Sequence, residues 1–361
     1  MMKAGGSSSC LRDTHNRRPF VSRAVRDQAQ KHFRRSLSAS ATETTPASTT
    51  RGVGRMTYRP ASYAEMVKDA VNSILEAVKD GEKRLEVEFP PVPLKIEGYK
   101  SNSDLFIDSN VQLALAAAKL LAASGKRTHV VMPDNGEYIR TYKMSKSTLD
   151  LLDGISLGHL NEGKPGLGNF SIAALLGGSA PDSSPAAEKA DVYIVINASC
   201  VELPNIQQYM EKNLSSGSKA AVIWNLELDT LRGDLGLISF PPKDMHYNFL
   251  STILPVFFLR PRDYSKSVPV APFIVNYSGA LFREYPGPWQ VMLKQDNGEY
   301  ACIAEDRMRY NLGDVKEEMQ AAMGLNTEAE GSTMQFLRRG NKTSTWWEEE
   351  TEKEVSNKWR S

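Results

Sequence analysis

The sequence predicts an α/β fold: a three-layer, Rossmann-like arrangement built on a mostly parallel sheet, with antiparallel strands added in the C-terminal half. Three observations carry this reading. The runs Thr128–Met132, Asp191–Ser199 and Ala220–Asn225 are short and apolar, and each ends in small or polar residues, as strands buried on both faces do. Helically spaced segments separate them, so strand and helix alternate. After Asn225 the pattern changes to the short strands Val256–Leu259, Phe273–Val275, Gln290–Leu293 and Tyr300–Ile303. Asp296-Asn297-Gly298 is a tight hairpin signal between the last two.

Taken in order, the first 55 residues carry eleven Lys/Arg and three acids, a net of +8, with no apolar run. This Arg- and Ser-rich, acid-poor composition is that of an organelle transit peptide, chloroplast or mitochondrial, followed by a disordered linker, with a plain disordered basic tail as the alternative. Residues 56–312 are expected to form a single α/β domain, and 313–361 a helical, then polar, tail. The remaining 306 residues of the overall +1 chain carry a net of −7. A mildly acidic body argues against a nucleic-acid binder, which needs a basic surface to neutralise phosphates.

Ser62-x-x-Glu65 has capping-box spacing, and Met66, Val67, Ala70, Val71, Ile74 and Leu75 follow it at helical intervals up to Gly81. Leu85, Val87 and Phe89 alternate with Glu86 and Glu88, which predicts a strand with one wet face. Pro90, Pro91 and Pro93 stop it. Asp108 or Ser109 is then expected to cap a helix ending at Gly125. After the Thr128–Met132 strand, helices are expected near Tyr138–Met144 and Ser147–Leu152, and a short strand at Ile155–Leu157. Residues 161–190 read as a long Gly/Pro-rich loop with an apolar patch at Ile172–Leu176, of the kind usually functional or disordered.

Two apolar stretches, Val111–Ala123 and Phe249–Leu259, are interrupted by Lys119 and Pro255 and fall short of the ~20 residues a bilayer requires. Membrane association is therefore expected to be peripheral. Cys200 and Cys302 belong to no CxxC motif, so buried free thiols are expected, with no metal site.

No catalytic signature is found. Gly166-Leu167-Gly168-Asn169-Phe170-Ser171 lacks the third glycine of a dinucleotide fingerprint and follows no strand. A P-loop, a nucleophile elbow and a zinc-protease helix are all missing from the sequence, and no cofactor is expected. His129, inside a strand, reads as a satisfied core residue. One coherent constellation remains: Asp134, Asn135, Glu137, Asn197, Ser199 and Asn225 all end buried strands and would meet on one rim if those strands are parallel. Such residues also cap helices and favour turns. A polar rim without nucleophile, base pair or metal cluster suits binding better than bond-making; a nucleotide- or small-molecule-dependent enzyme working at this strand-end rim is the alternative. Trp346-Trp347, beside five glutamates, is a candidate partner contact, since exposed tryptophans anchor interfaces; docking back onto the chain's own domain is the alternative.

Tyr58-Arg59-Pro60-x-x-Tyr63, Arg84–Pro91, Val131-Met132-Pro133-Asp134 and the Asp191–Asn197 strand resemble an uncharacterised domain family of plants, algae and cyanobacteria. The likeness covers about Tyr58 to Arg339. It implies that the leader is a chloroplast transit peptide. It also implies a stromal, thylakoid-associated factor for photosystem II assembly, working with a photosystem II core antenna subunit and with thylakoid assembly factors or an insertase. A similar domain accompanies some plastid adenylate kinases, but their kinase P-loop has no counterpart here, so that activity does not carry over.

Overall fold

A computed structural model describes residues 56–93, 103–162, 183–215, 217–325 and 344–361, all within one unit spanning Gly54–Ser361. The transit-like leader, the Gly166–Ser171 stretch and the Ile172–Leu176 patch lie outside the described residues. The elements run α1 (Tyr63–Lys79), β1 (Arg84–Glu88), α2 (Ser103–Ala123), β2 (Thr128–Met132), α3 (Asn135–Leu149) and β3 (Ile155–His159). They continue through α4 (Ser184–Lys189), β4 (Val192–Val195), α5 (Leu203–Asn213), β5 (Ala220–Trp224), α6 (Leu228–Asp234) and α7 (Asp244–Asn248). The chain then forms β6 (Leu254–Ser267), β7 (Ile274–Glu284), β8 (Trp289–Lys294), β9 (Tyr300–Asp306), α8 (Leu312–Ala322) and α9 (Trp346–Glu349).

The nine strands form one sheet in the order β3-β2-β4-β5-β1-β6-β7-β8-β9. Pairings from β3 to β6 are parallel and those from β6 to β9 antiparallel. The predicted α/β class, with antiparallel strands joining a parallel sheet, is what the chain adopts. One face carries Leu85, Val87, Val130, Ile194 and Val222 under α1 and α2. The opposite face carries Val131, Tyr193, Val195 and Ile223 against α5 and α6. Two-sided burial is why these strands read as continuous apolar runs. A smaller cluster, with Val291, Val315 and Met319, seats α8 on the antiparallel strands.

Ser62 caps α1 by accepting the Glu65 N–H at 3.3 Å, and Gly81 turns the chain away at φ +88°, a conformation that costs glycine little. Tyr58 stacks on Phe282 with centroids 4.4 Å apart and donates to Asp69 at 2.9 Å. The Asp-Asn-Gly turn joins β8 to β9 as expected, with Gly298 at φ +86°.

Several expectations need correction. β1 has no wet face: Glu86 is 1% exposed and Glu88 4%, because α6 and the residues after β9 cover that side of the strand and bring Arg232 and Arg309 close to Glu86. The region after Met132 forms one helix, α3, rather than two. β6 and β7 are fourteen and eleven residues long, far beyond the short runs read from sequence. α2 begins at Ser103, so by length and composition it could cross a bilayer. Here Val111, Ala114, Ala117, Ala118 and Leu121 on it are each 0% exposed, and the helix serves as a layer of the core.

Candidate functional site

The strand-end rim is three separate constructions. Asn225 follows β5 in a left-handed conformation (φ 53°), as Asn197 does after β4 (φ 56°); asparagine tolerates this better than most residues. Asn225 Oδ1 accepts the Phe89 N–H at 2.8 Å, and its amide donates to Asn110 Oδ1 at 3.0 Å. The Asn110 amide then donates to Asn197 Oδ1 at 2.9 Å. Three asparagines thus tie the ends of β1, β4 and β5 to α2. Asn110 is fully buried, and the sequence offered no signal for it beyond an Asn inside an apolar helix.

The other predicted rim residues stand apart from this ladder. Asp134 caps α3 by accepting the Glu137 N–H at 3.0 Å, with Asn135 as the first helical residue. Glu137 pairs with Arg140, which also reaches Asp108 at 2.7 Å. Ser199 and Glu202 form a capping box ahead of α5. His129 is fully buried, with Nδ1 2.7 Å from Ser156 Oγ and Nε2 3.3 Å from Glu162, the satisfied core histidine that the sequence suggested.

Trp347 is 6% exposed. Trp346 is half-buried, packing edge-on against His246 and Tyr247 beneath the Lys243 ammonium. Residues 344–361 therefore pack onto the domain rather than trailing from it. His246 Nε2 meets Glu354 at 2.6 Å, Trp359 Nε1 donates to the same carboxylate at 3.1 Å, and the Arg360 guanidinium joins at 3.2 Å. Cys200 lies in the core on one face of the sheet and Cys302, half-buried, packs against the core on the other, and no disulfide joins the two. Burial pushes the Cys200 thiol up to about 11, which makes it a poor nucleophile.

The charged centre of the molecule lies at residues the sequence reading left aside. Asp229, the second residue of α6, collects four guanidiniums. Arg309 donates to Oδ2 at 2.7 Å and Arg232 to Oδ1 at 2.9 Å; Arg262 and Arg260 stand 3.4 and 3.5 Å from Oδ2. The surrounding arginines hold its carboxyl well below the ordinary range despite burial. Trp359 covers the group, its ring 4.8 Å from the Arg232 guanidinium and 5.2 Å from that of Arg309, in cation–π range.

Beside this hub, a cleft of about 250 Å³ opens at the carboxyl ends of β1 and β5, against the part of β6 that outruns β1. The chain leaves β1 toward α2 on one face and leaves β5 toward α6 on the other. The cleft therefore lies where connections diverge, the usual ligand position in an open α/β sheet. Glu88, Arg260, Arg262 and Glu227 are its charged groups. Arg260 reaches Glu88 Oε1 at 3.2 Å and Thr230 Oγ1 at 2.9 Å. Glu88 Oε2 is buried and has no hydrogen-bond partner among the described residues. Burial, reinforced by nearby Glu86, pushes the Glu88 carboxyl up to about 8, although Arg260 draws it down. The only hints in the sequence were two glutamates in a β-strand pattern and the Arg-Pro-Arg of β6. Among the described residues there is no group of His, Cys, Asp and Glu that could hold a metal ion.

No curated protein matches the chain. A family model described as a domain of unknown function, DUF1995, matches residues 60–317. That span includes the whole sheet, the asparagine ladder and the Asp229 hub, and stops within α8. The chain belongs to the DUF1995 family.

Proposed function

We propose that the protein is a stromal assembly factor that assists photosystem II biogenesis by binding a chlorophyll-binding core subunit, or its assembly partners, at the thylakoid. The quoted segments, from Tyr58-Arg59-Pro60 to the Asp191–Asn197 strand, resemble the chloroplast Low Photosystem II Accumulation protein three, and the basic, acid-poor leader suits plastid import. The observation that carries the reading is the commitment of the rim: Asn197 and Asn225 hold α2 to the sheet, and Asp134 and Ser199 cap helices. These groups serve a scaffold that presents a surface. Affinity capture from chloroplasts with the full chain should recover a photosystem II core subunit or a thylakoid assembly partner. Recovery of neither, or removal of the protein with photosystem II accumulation unchanged, would overturn the reading.

A second reading, a nucleotide- or small-molecule-dependent plastid enzyme, has the cleft at Glu88 in its favour. Product formed from a plastid metabolite by the purified chain, and lost in the Glu88→Gln variant, would establish it in place of the first.

A further inference from the structure

The cleft beside Asp229 has the parts of a ligand site, and their chemistry selects a ligand class. Its floor is Glu88, 4% exposed, with Oε2 unpartnered among the described residues. A buried oxygen of this kind costs free energy unless something bonds to it. Arg262 stands at the mouth, its side chain 34% exposed, and its guanidinium approaches Asp229 through one Nη at 3.4 Å. Its remaining donors face no carboxylate within salt-bridge distance among the described residues, which leaves the planar fork that recognises carboxylates by paired bonds. The walls are apolar: Phe89, Pro90, Val92, Leu259 and Pro261.

Charge balance narrows the choice further. Arg260 and Arg262 are already opposed by Glu227 and Asp229. A doubly charged phosphate would add repulsion against two nearby carboxylates, whereas a single negative charge suits one guanidinium fork and one carboxyl hydroxyl. An apolar body on that anion would cover the proline-rich wall, at roughly 25 cal/mol per Å² of apolar surface removed from water.

We propose that this cleft binds a small monocarboxylate carried on an apolar body, with Arg262 and Arg260 holding the carboxylate and the Glu88 carboxyl donating a hydrogen bond to it. The site is independent of the assembly role, and either can fail without the other. Benzoate is the probe, with inorganic phosphate as the comparison. Glu88 is surrounded by Glu86 on its own strand, Arg260 on β6, and Glu227 and Asp229 at the start of α6. With its proton held up to about pH 8, benzoate affinity should fall at least tenfold between pH 7 and pH 9.5. The Glu88→Gln variant keeps a permanent donor and should bind with little pH dependence.

Titration of the full chain should show saturable benzoate binding, weakened at least tenfold in Arg262→Gln and unaffected in Arg59→Gln, an exposed arginine elsewhere. In the unmodified chain, backbone amide shifts on adding benzoate should concentrate at Phe89, Val92, Asn225 and Glu227, a readout that needs no variant. The proposal is overturned by the lack of saturable binding at 10 mM benzoate, by phosphate binding equally well, or by shifts centred elsewhere.

Discussion

Glu88 Oε1 lies 3.2 Å from the Arg260 guanidinium, yet the carboxyl's affinity for its proton is raised rather than lowered. Burial on both faces of the sheet, beside a second buried glutamate, outweighs the attraction of one arginine that Asp229 and Glu227 also share. Burial thus favours the neutral carboxylic acid beside the guanidinium.

This relationship has a pH signature in stability. Folding holds a proton on Glu88 up to about pH 8, whereas the unfolded chain releases it near 4.3. The native state binds more protons between those values, so this contribution to stability is full below the unfolded value and lost as pH rises toward 8. Glu86 shifts in the same direction through burial. His246 works oppositely, because burial holds it near 4, so its contribution is lost as pH falls below about 6.5. Urea unfolding between pH 6.5 and 8 should therefore show stability declining, by at most about 1.4 kcal/mol per pH unit for each proton released. Glu88→Gln should flatten the slope, and an unchanged slope would show that Glu88 is ionised in the native state.

Asp229 gives the opposite kind of prediction, because it is the anion that four arginines share. Asp229→Asn leaves Arg232 and Arg309 buried without their counter-charge. Removing one partner of a buried ionic group costs about 3–5 kcal/mol. The denaturation midpoint of Asp229→Asn should fall accordingly, whereas Glu227→Gln, on an exposed side chain, should move it by less than ~1 kcal/mol.

The asparagine ladder can be tested at its hidden member. Asn110→Ala removes the acceptor for the Asn225 amide and the donor to Asn197, leaving buried polar groups unpaired at a cost of about 1–3 kcal/mol. Alanine's higher helix propensity returns roughly 0.5 kcal/mol. Equilibrium unfolding should show a net loss of about 1–2 kcal/mol; no loss would mean that the ladder merely fills space.

The periodicities that betrayed the parallel sheet were those of strands with apolar residues on both faces, such as Val130 with Val131 and Ile194 with Val195. Glu86 and Glu88 misled because a charged residue at every second position is the ordinary mark of a solvated face. Here the charges answer arginines that arrive from α6, β6 and the segment after β9, at separations no local pattern reports. The run legible in the sequence, Val256–Leu259, lies between Pro255 and Pro261, residues that cannot donate to a ladder. Pro255 falls at the irregularity in the β1–β6 register, and Pro261 lies where β6 outruns β1, positions that tolerate it. Asn197 and Asn225 were legible as strand ends, but Asn110, which joins them, was hidden in a helix whose neighbours are apolar.

The C-terminal segment supplies the last test. Trp359 is 1% exposed, packs edge-on against His246 at 5.4 Å, and covers the guanidiniums of Arg232 and Arg309. Its indole also donates to Glu354, which holds His246 and Arg360. A polar tail would tolerate its loss; a lid over buried charge would not. Trp359→Ala removes a large buried ring, a change that costs about 3–5 kcal/mol in cores, and admits water to the Asp229 hub. Its denaturation midpoint should drop well below that of Trp359→Phe, which keeps a ring over Arg232 but lacks the indole N–H. Equal and small effects of both would place the segment outside the cooperative fold.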